Sequence, residues 1–353
     1  MMYQKIRELL EPAVKENFFP GASWCVVHGN GDVFCDYVGY KSLEPEKVLN
    51  QGNEIYDVAS LTKVISTTTM VMKLIENNLL SLDTEVQKIL PRFKHQGITI
   101  YHLLTHCSGL PADISRASKL KDKEEVLDRI FSMDLIYMTG EHIVYSDIGF
   151  ILLGLIIEKI TKLSLNDYAS LMIFKPLGMK DTSYHPNRER CAPTEERNDD
   201  VYQGMLQGQV HDEKSFALGG EAGHAGLFST PKDISKFILS ILQDKFVLTR
   251  KMTHELFTLR ETKTNLKGDI LTRALGWDKP QKGGSAGDLV SMEDTIIHTG
   301  FTGCNMFIDL KHQIGFVLLS NAVHPKRDKN QIIQFRNQIG FMILQEWEEN
   351  HHV

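Results

Sequence analysis

The sequence predicts a mixed α/β (α+β) fold: an antiparallel sheet flanked by helices, with a mostly helical domain inserted. Three observations carry this. Strand-like runs flank an Asn-Gly turn near the N-terminus, the stretch from about 83 to 215 reads as helical, and strand character returns after 280. The division that follows is an α/β domain from residues 1–80 together with 215–353, and a helical domain at 81–214. An active site is expected in the cleft between them.

Taken in order, MMYQKIRELLEPAVKEN alternates charge with apolar residues, which is an amphipathic helix rather than the unbroken apolar core of a secretory signal. GASWCVVHGNGDVFCDYVGY places two strands around Asn30-Gly31, a hairpin pair. From Ser60 to about Asn78 runs a helix that is apolar nearly all round (Val64, Ile65, Met70, Val71, Leu74, Ile75) and so is expected buried. TIYHLLTHCSGL is a short helix ending at Gly109, and KDKEEVLDRIFSM is an amphipathic one. SDIGFILLGLIIEKITK is long and apolar, opened by Ser146 and Asp147 as capping residues. LNDYASLMIFKPLGM precedes a polar loop, NRERCAPTEERNDD. TIIHTGFTGCNMFIDLKHQIGFVLLSNAVHP holds two or three strands with turns at Gly300, Gly303 and Lys311-His312, and NQIIQFRNQIGFMILQEWEEN closes the chain as an amphipathic helix.

Composition narrows the function classes. The 353 residues are 42% hydrophobic and 24% charged, with a formal net charge of −6. That gives no electrostatic reason to expect nucleic acid or an anionic membrane as partner. No apolar run reaches the roughly 18 residues of a membrane span; the nearest, Ile148 to Ile157, is broken by Glu158. The five cysteines (25, 35, 107, 191 and 304) are odd in number and lack a Cys-x-x-Cys pair, which predicts reduced thiols and a cytoplasmic protein. His211, Asp212, Glu213 and His224 lack the spacing of a metal site, and GGEAGHAG lacks the Gly-Lys-Ser/Thr ending of a phosphate loop. Cys107 reads as a buried thiol. No metal or cofactor is expected.

Three short motifs carry chemistry. In Ser60-Leu61-Thr62-Lys63, residues three apart share one helix face. A serine hydroxyl becomes a nucleophile when a neighbour takes its proton, and a lysine does so if burial lowers its pKa. The helix N-terminus adds positive potential and free N–H groups. The bland alternative is an N-cap serine. Tyr145-Ser146-Asp147 stands at a second helix start; a tyrosine beside a lysine is a general acid or base, and Asp147 is placed for substrate. Here the alternative is a cap and a packed ring. His298-Thr299-Gly300 lies in the strand-like region, where a polar pair and a glycine suit a substrate docking beside the strand, or else form a turn.

Together, in this order, the three resemble the Ser-x-x-Lys, S-D-N and K-T-G set of the serine β-lactamase, penicillin-binding protein and esterase superfamily, class C β-lactamase-like. DVASLTK, TIYHLLTHCSGLP, YSDIGFILLG, GHAGLFSTPKDISKF and HTGFTG extend the resemblance from about residue 20 to 325. It implies a β-lactamase/transpeptidase-like fold with the Ser60 helix in the cleft. By motif match Ser60 is the acylated nucleophile, Lys63 its proton acceptor and Tyr145 the relay to the leaving group. The backbone N–H groups of Ser60 and Phe301 form the oxyanion hole, and Asp147, His298, Thr299 and Gly300 contact substrate.

Two departures shape the expected substrate. Asp147 stands where relatives carry Asn, and an ionised Asp only accepts hydrogen bonds. His298 stands where many carry Lys, removing a fixed positive charge. Both argue for an esterase or D-amino-acid peptidase over an efficient β-lactamase, acting on a small ester, amide or peptidoglycan-derived molecule. The alternative is a non-catalytic penicillin-recognising or sensory domain of the same fold. Ser146 is the rival to Tyr145 as proton relay.

Overall fold

The computed structural model describes residues 2–351. Its centre is a six-stranded antiparallel sheet drawn from both ends of the chain. Helix α1 (Gln4–Lys15) leads into β1 (Gly21–His28), β2 (Val33–Ser42) and the short β3 (Val48–Leu49). Much later come β4 (Thr295–Thr299), β5 (Asn305–Asp309) and β6 (Ile314–Ser320), and the order across the sheet is β4-β5-β6-β1-β2-β3. The closing pair is β1 on β6, in register from Ala22 opposite Ser320 to His28 opposite Ile314.

Every residue of β1 is buried, so the strand shows no in–out alternation. Cys25 and Val27 face one core, shared with Ile234, Phe237 and Ile241 of the helix Pro231–Leu242. Trp24 and Val26 face another, shared with Ile6 and Leu10 of α1 and with Ile339 and Ile343 near the C-terminus. Helices on both faces thus explain why the strand reads as a continuous apolar run.

Three expectations need correction. Cys25 and Cys35 are not free thiols: the hairpin around Asn30-Gly31 sets them opposite each other in the β1–β2 register, and they form a disulfide. Cys107, Cys191 and Cys304 are free and buried. The helix after Ser60 is regular only over Thr69–Glu76 (α2); its first part, Lys63–Thr68, is π-helical. The polar loop before 200 contributes a small hairpin, Glu196–Asn198 with Gln203–Met205. No helix among the described residues is long and apolar enough to cross a membrane.

Helix α3 (Asp147–Thr161) packs beside the Ser60 helix in the larger core. Loop 219–226 lies hard against it: a Cβ on Gly223 would meet the Phe150 carbonyl oxygen at 2.0 Å. That close approach, open only to glycine, brings the His224 carbonyl to the start of the Ser60 helix.

Candidate active site

The turn that presents Ser60 is tied from several sides. Ala59 holds φ at 48°, a left-handed conformation that is strained for a residue with a Cβ. The buried Asp57 carboxylate over-determines it, accepting from the Ala59 N–H at 2.9 Å and the His211 N–H at 2.7 Å. Burial raises the Asp57 pKa, against those two bonds. Thr302 Oγ1 donates to the Asp57 carbonyl at 2.8 Å, and a Cβ on Gly300 would lie 2.7 Å from the Val58 carbonyl oxygen. The third motif therefore docks directly on the Ser60 turn, and its glycine permits the contact.

Lys63 Nζ donates to Ser60 Oγ at 2.9 Å, and among the described residues that is the hydroxyl's one hydrogen bond. Ser60 makes no side-chain cap. The Lys63 side chain is 0% exposed; its ammonium also lies 3.1 Å from the His224 carbonyl oxygen and 2.8 Å from Asp147 Oδ1. Here a further correction falls. Burial alone would lower the Lys63 pKa, as expected from the sequence, but the Asp147 carboxylate and Tyr145 outweigh it and hold the pKa above its ordinary value. Lys63 is an ammonium at rest.

Asp147 is shared. Its Oδ2 lies 3.2 Å from Lys214 Nζ, which also meets Asp113 and Asp212 at 2.9 Å each. His224 Nε2 lies 2.7 Å from Asp212 Oδ1. Burial opposes the charge on Asp147, but Lys63, His224 and Lys214 more than offset it and depress its pKa. Ligand atoms of Asp147, Asp212 and His224 fall within 4.8 Å of one another, a metal-like grouping. Two ammonium groups already sit on those carboxylates, which does not suit a further cation.

Tyr145 stands over this network. Lys63 Nζ is 4.8 Å and Arg273 Cζ 5.8 Å from the centre of its ring. His106, itself left-handed at φ 58°, stacks on the ring at 4.7 Å and accepts the Ser146 N–H on Nδ1 at 3.0 Å. Ser146 is occupied as the cap of α3: its hydroxyl accepts from the Gly149 N–H and donates to the Pro111 carbonyl at 2.6 Å. His298 is 2% exposed, with its ring 6.0 Å from that of Tyr145 and Nδ1 donating to the Thr299 carbonyl at 2.9 Å. Burial, with Lys63 and Arg273 nearby, pushes its pKa down to about 3, so it is neutral.

A cavity of about 250 Å³ opens onto Ser60, walled by Tyr145, Asp147, Lys214, His224 and Phe301 among others. Phe301 is 57% exposed and stacks on His211 at 5.7 Å. Neither the Ser60 nor the Phe301 N–H has an acceptor among the described residues. Of the residues expected at the site, the structure brings Ser60, Tyr145, Asp147 and Phe301 together at this cavity, with Lys63 buried against Ser60 and Asp147. Gly300 lies beneath it, His298 behind Tyr145, and Thr299 on a neighbouring pocket. A larger cavity, about 900 Å³ near Phe257 and Met292, contains none of them. Asp57, His106, Lys214 and Arg273 were not singled out in the sequence, and neither the short helix that carries Lys214 nor the hairpin strand that carries Arg273 was legible there.

The Beta-lactamase family profile matches residues 6–340. An N-acetylmuramyl-L-alanine amidase of Bacillus subtilis (strain 168) is 30% identical, covering 91% of this chain and 81% of its own. An Escherichia coli (strain K12) protein described as "Putative D-alanyl-D-alanine carboxypeptidase" is 32% identical over 78% of this chain and 72% of its own. Among solved structures, a class C beta-lactamase superposes with a TM-score of 0.76 at 20% identity, covering 97% of this chain and 96% of its own, a likeness of fold.

Proposed function

The chain belongs to the beta-lactamase family of serine hydrolases, and on that premise we propose that Ser60 is its nucleophile and that it cleaves amides of cell-wall peptide type, or small esters, through an acyl-enzyme. The observation that carries this is the Lys63 ammonium, fully buried and 2.9 Å from Ser60 Oγ. A dry, fixed positive charge at that distance stabilises the developing alkoxide far better than water would.

Because Lys63 starts protonated, Tyr145 acts as a relay: its hydroxyl gives its own proton to the leaving group as its oxygen accepts the Ser60 proton, and Lys63 holds both oxygens in place. The N–H groups of Ser60 and Phe301 receive the oxyanion; both line the cavity and lack other acceptors. Water then attacks the acyl carbonyl, and the proton path runs in reverse. The relatives' names, an amidase and a carboxypeptidase, favour a peptide-like substrate. Asp147 and the neutral His298 favour it over efficient β-lactam hydrolysis. The same reading places the cleft between the division 1–80 with 215–353 and the division 81–214.

Intact-mass labelling tests it. Wild type should gain a fluorophosphonate or fluorescent-penicillin adduct that Ser60→Ala lacks, and should turn over some member of a panel of p-nitrophenyl esters, D-Ala-D-Ala peptides and nitrocefin. No adduct with either reagent, together with no turnover, removes the enzyme reading.

A further inference from the structure

We propose that Asp57 is a positioning residue for the oxyanion: its carboxylate and its own carbonyl hold together the two turns that carry the Ser60 and Phe301 N–H groups. The inference rests on Ser60 being the acylated residue and on those two groups receiving the oxyanion.

Asp57 ends a fixed piece of backbone. Tyr56–Asp57 pairs with Phe228–Ser229, and the next N–H, of Val58, donates to the Leu227 carbonyl at 3.1 Å. The Asp57 side chain is buried, and no lysine or arginine is paired with it among the described residues. Two backbone donors compensate it instead, one to each oxygen: the Ala59 N–H to Oδ1 and the His211 N–H to Oδ2. A buried carboxylate without a cation is costly to keep. Its chemistry explains why no neutral residue of the same shape serves: a carboxylate presents an acceptor to both donors, whereas an asparagine sets an NH₂ donor against one of them.

Each contact acts on one half of the oxyanion site. The Ser60 N–H belongs to the Ala59–Ser60 peptide, so the Ala59 dihedrals set where it points. Ala59 at φ 48° is in a conformation that a residue with a Cβ leaves unless it is held. On the other half, Thr302, next to Phe301, donates from Oγ1 to the Asp57 carbonyl at 2.8 Å. The His211 ring, whose backbone sits on Oδ2, stacks on the Phe301 ring with 25° between their planes. Its Nε2 lies 2.9 Å from Glu195 Oε2, and Glu195 pairs with Arg327, which fixes the stack from behind. The exposed Phe301 turn has one further tie, the Asn330 Nδ2 donor on its carbonyl at 3.0 Å. Loosening Asp57 therefore lets the two N–H groups drift relative to each other. Donors act on an oxyanion only when both stand at about 2.7–3.1 Å from it.

The test compares kcat/KM for p-nitrophenyl acetate with that for its thiono analogue, in which sulfur replaces the carbonyl oxygen. Each value is divided by the ester's own rate with hydroxide. Sulfur is a weak acceptor, so an intact pair of donors should favour the oxygen ester by about tenfold or more. Asp57→Asn should lower kcat/KM for the oxygen ester by about 10²-fold, the scale of losing one oxyanion donor. It should lower the thiono ester far less, so that the normalised ratio approaches one. Thr302→Val removes a single tie and should move the ratio the same way by a smaller factor, a reading that survives if Asp57→Asn fails to fold. Equal loss on both esters in these variants would make Asp57 a structural support only and overturn the proposal. Unchanged kcat/KM in Asp57→Asn, or a wild type that does not distinguish the two esters, overturns it as well. Absence of any fluorophosphonate adduct on wild-type Ser60 would instead refute the hydrolase mechanism on which the inference stands.

Discussion

The two sides of Tyr145 use buried charge differently. On the Ser60 side each ammonium is saturated: Lys63 meets Asp147, and Lys214 meets Asp113, Asp147 and Asp212. On the β4 side Arg273 has one carboxylate, Asp278, and a covered Nε with no acceptor. A saturated network fixes positions, because moving any member leaves another charge unpaired in a low-dielectric setting. On the other side a buried cation has a single, partly exposed carboxylate partner, so fewer groups depend on its position.

The strongest way to separate the two sides is to remove the reacting atom. Ser60→Ala should lower acyl-donor turnover by on the order of 10⁴-fold or more, since members of a nucleophile unit fail together. The variant keeps the rest of the cavity wall, so it should still bind diacetyl-L-Lys-D-Ala-D-Ala, read by isothermal titration. Loss of binding along with turnover would show that the two sides are not independent. Next in size is the proton relay. Tyr145→Phe should slow acylation about 10²- to 10⁴-fold, the range of a general acid–base group. Ser146→Ala should cost about 1 kcal/mol of helix capping and little activity. A far larger acylation loss in Ser146→Ala, followed by stopped-flow burst kinetics, would transfer the relay to Ser146.

The sequence made one side of this comparison visible and left the other dark, for a physical reason. Ser60, Lys63, Tyr145 and His298 sit in short motifs whose spacing matches a helix turn or a strand. The sheet was readable from Asn30-Gly31 and from the turns at Gly300 and Gly303. Arg273 and Lys214 reach the site only through folding, from a hairpin and a short helix with no recognisable motif around them. The Lys63 pKa was misjudged because burial was foreseen and the Asp147 ion pair was not; the two effects have opposite sign. The Cys25–Cys35 disulfide was within reach, since both residues lie five positions from Asn30 in a hairpin that had been identified. The count of cysteines outweighed their register.

Removing a shared cation sharpens the comparison through stability. Lys214→Met strips Asp113, Asp147 and Asp212 of their common partner. Losing one member of a buried ionic network costs roughly 3–5 kcal/mol. Arg273→Gln leaves only Asp278 without its partner, and that carboxylate is partly exposed, so its loss should be much smaller. Thermal denaturation of both variants checks this, and equal Tm losses would erase the distinction between a saturated and an open cation.

The smallest expected effect is a slope with pH. His298 and His324 are buried and neutral in the fold, their pKa values lowered to about 3 and about 4, in both cases mainly by burial. The unfolded chain binds protons at these residues near pH 6.5. Between that value and the folded pKa, the unfolded state holds more protons, so stability falls as pH falls through the window and is complete above it. Each histidine contributes up to about 1.4 kcal/mol per pH unit there. Glu195 and Asp212 act in the same direction, but their folded pKa values are depressed below the ordinary carboxylate range, so their share is lost at lower pH. The interval from about pH 6 to 5 therefore belongs mainly to the histidines. His298→Gln should flatten the fall in Tm over that interval by about one proton's worth. Arg273→Gln should flatten it less, because Arg273 is one of the cations that keep His298 neutral. A slope unchanged in both variants would mean that the charge at Arg273 is not felt across Tyr145, and would detach the β4 pocket from the third motif.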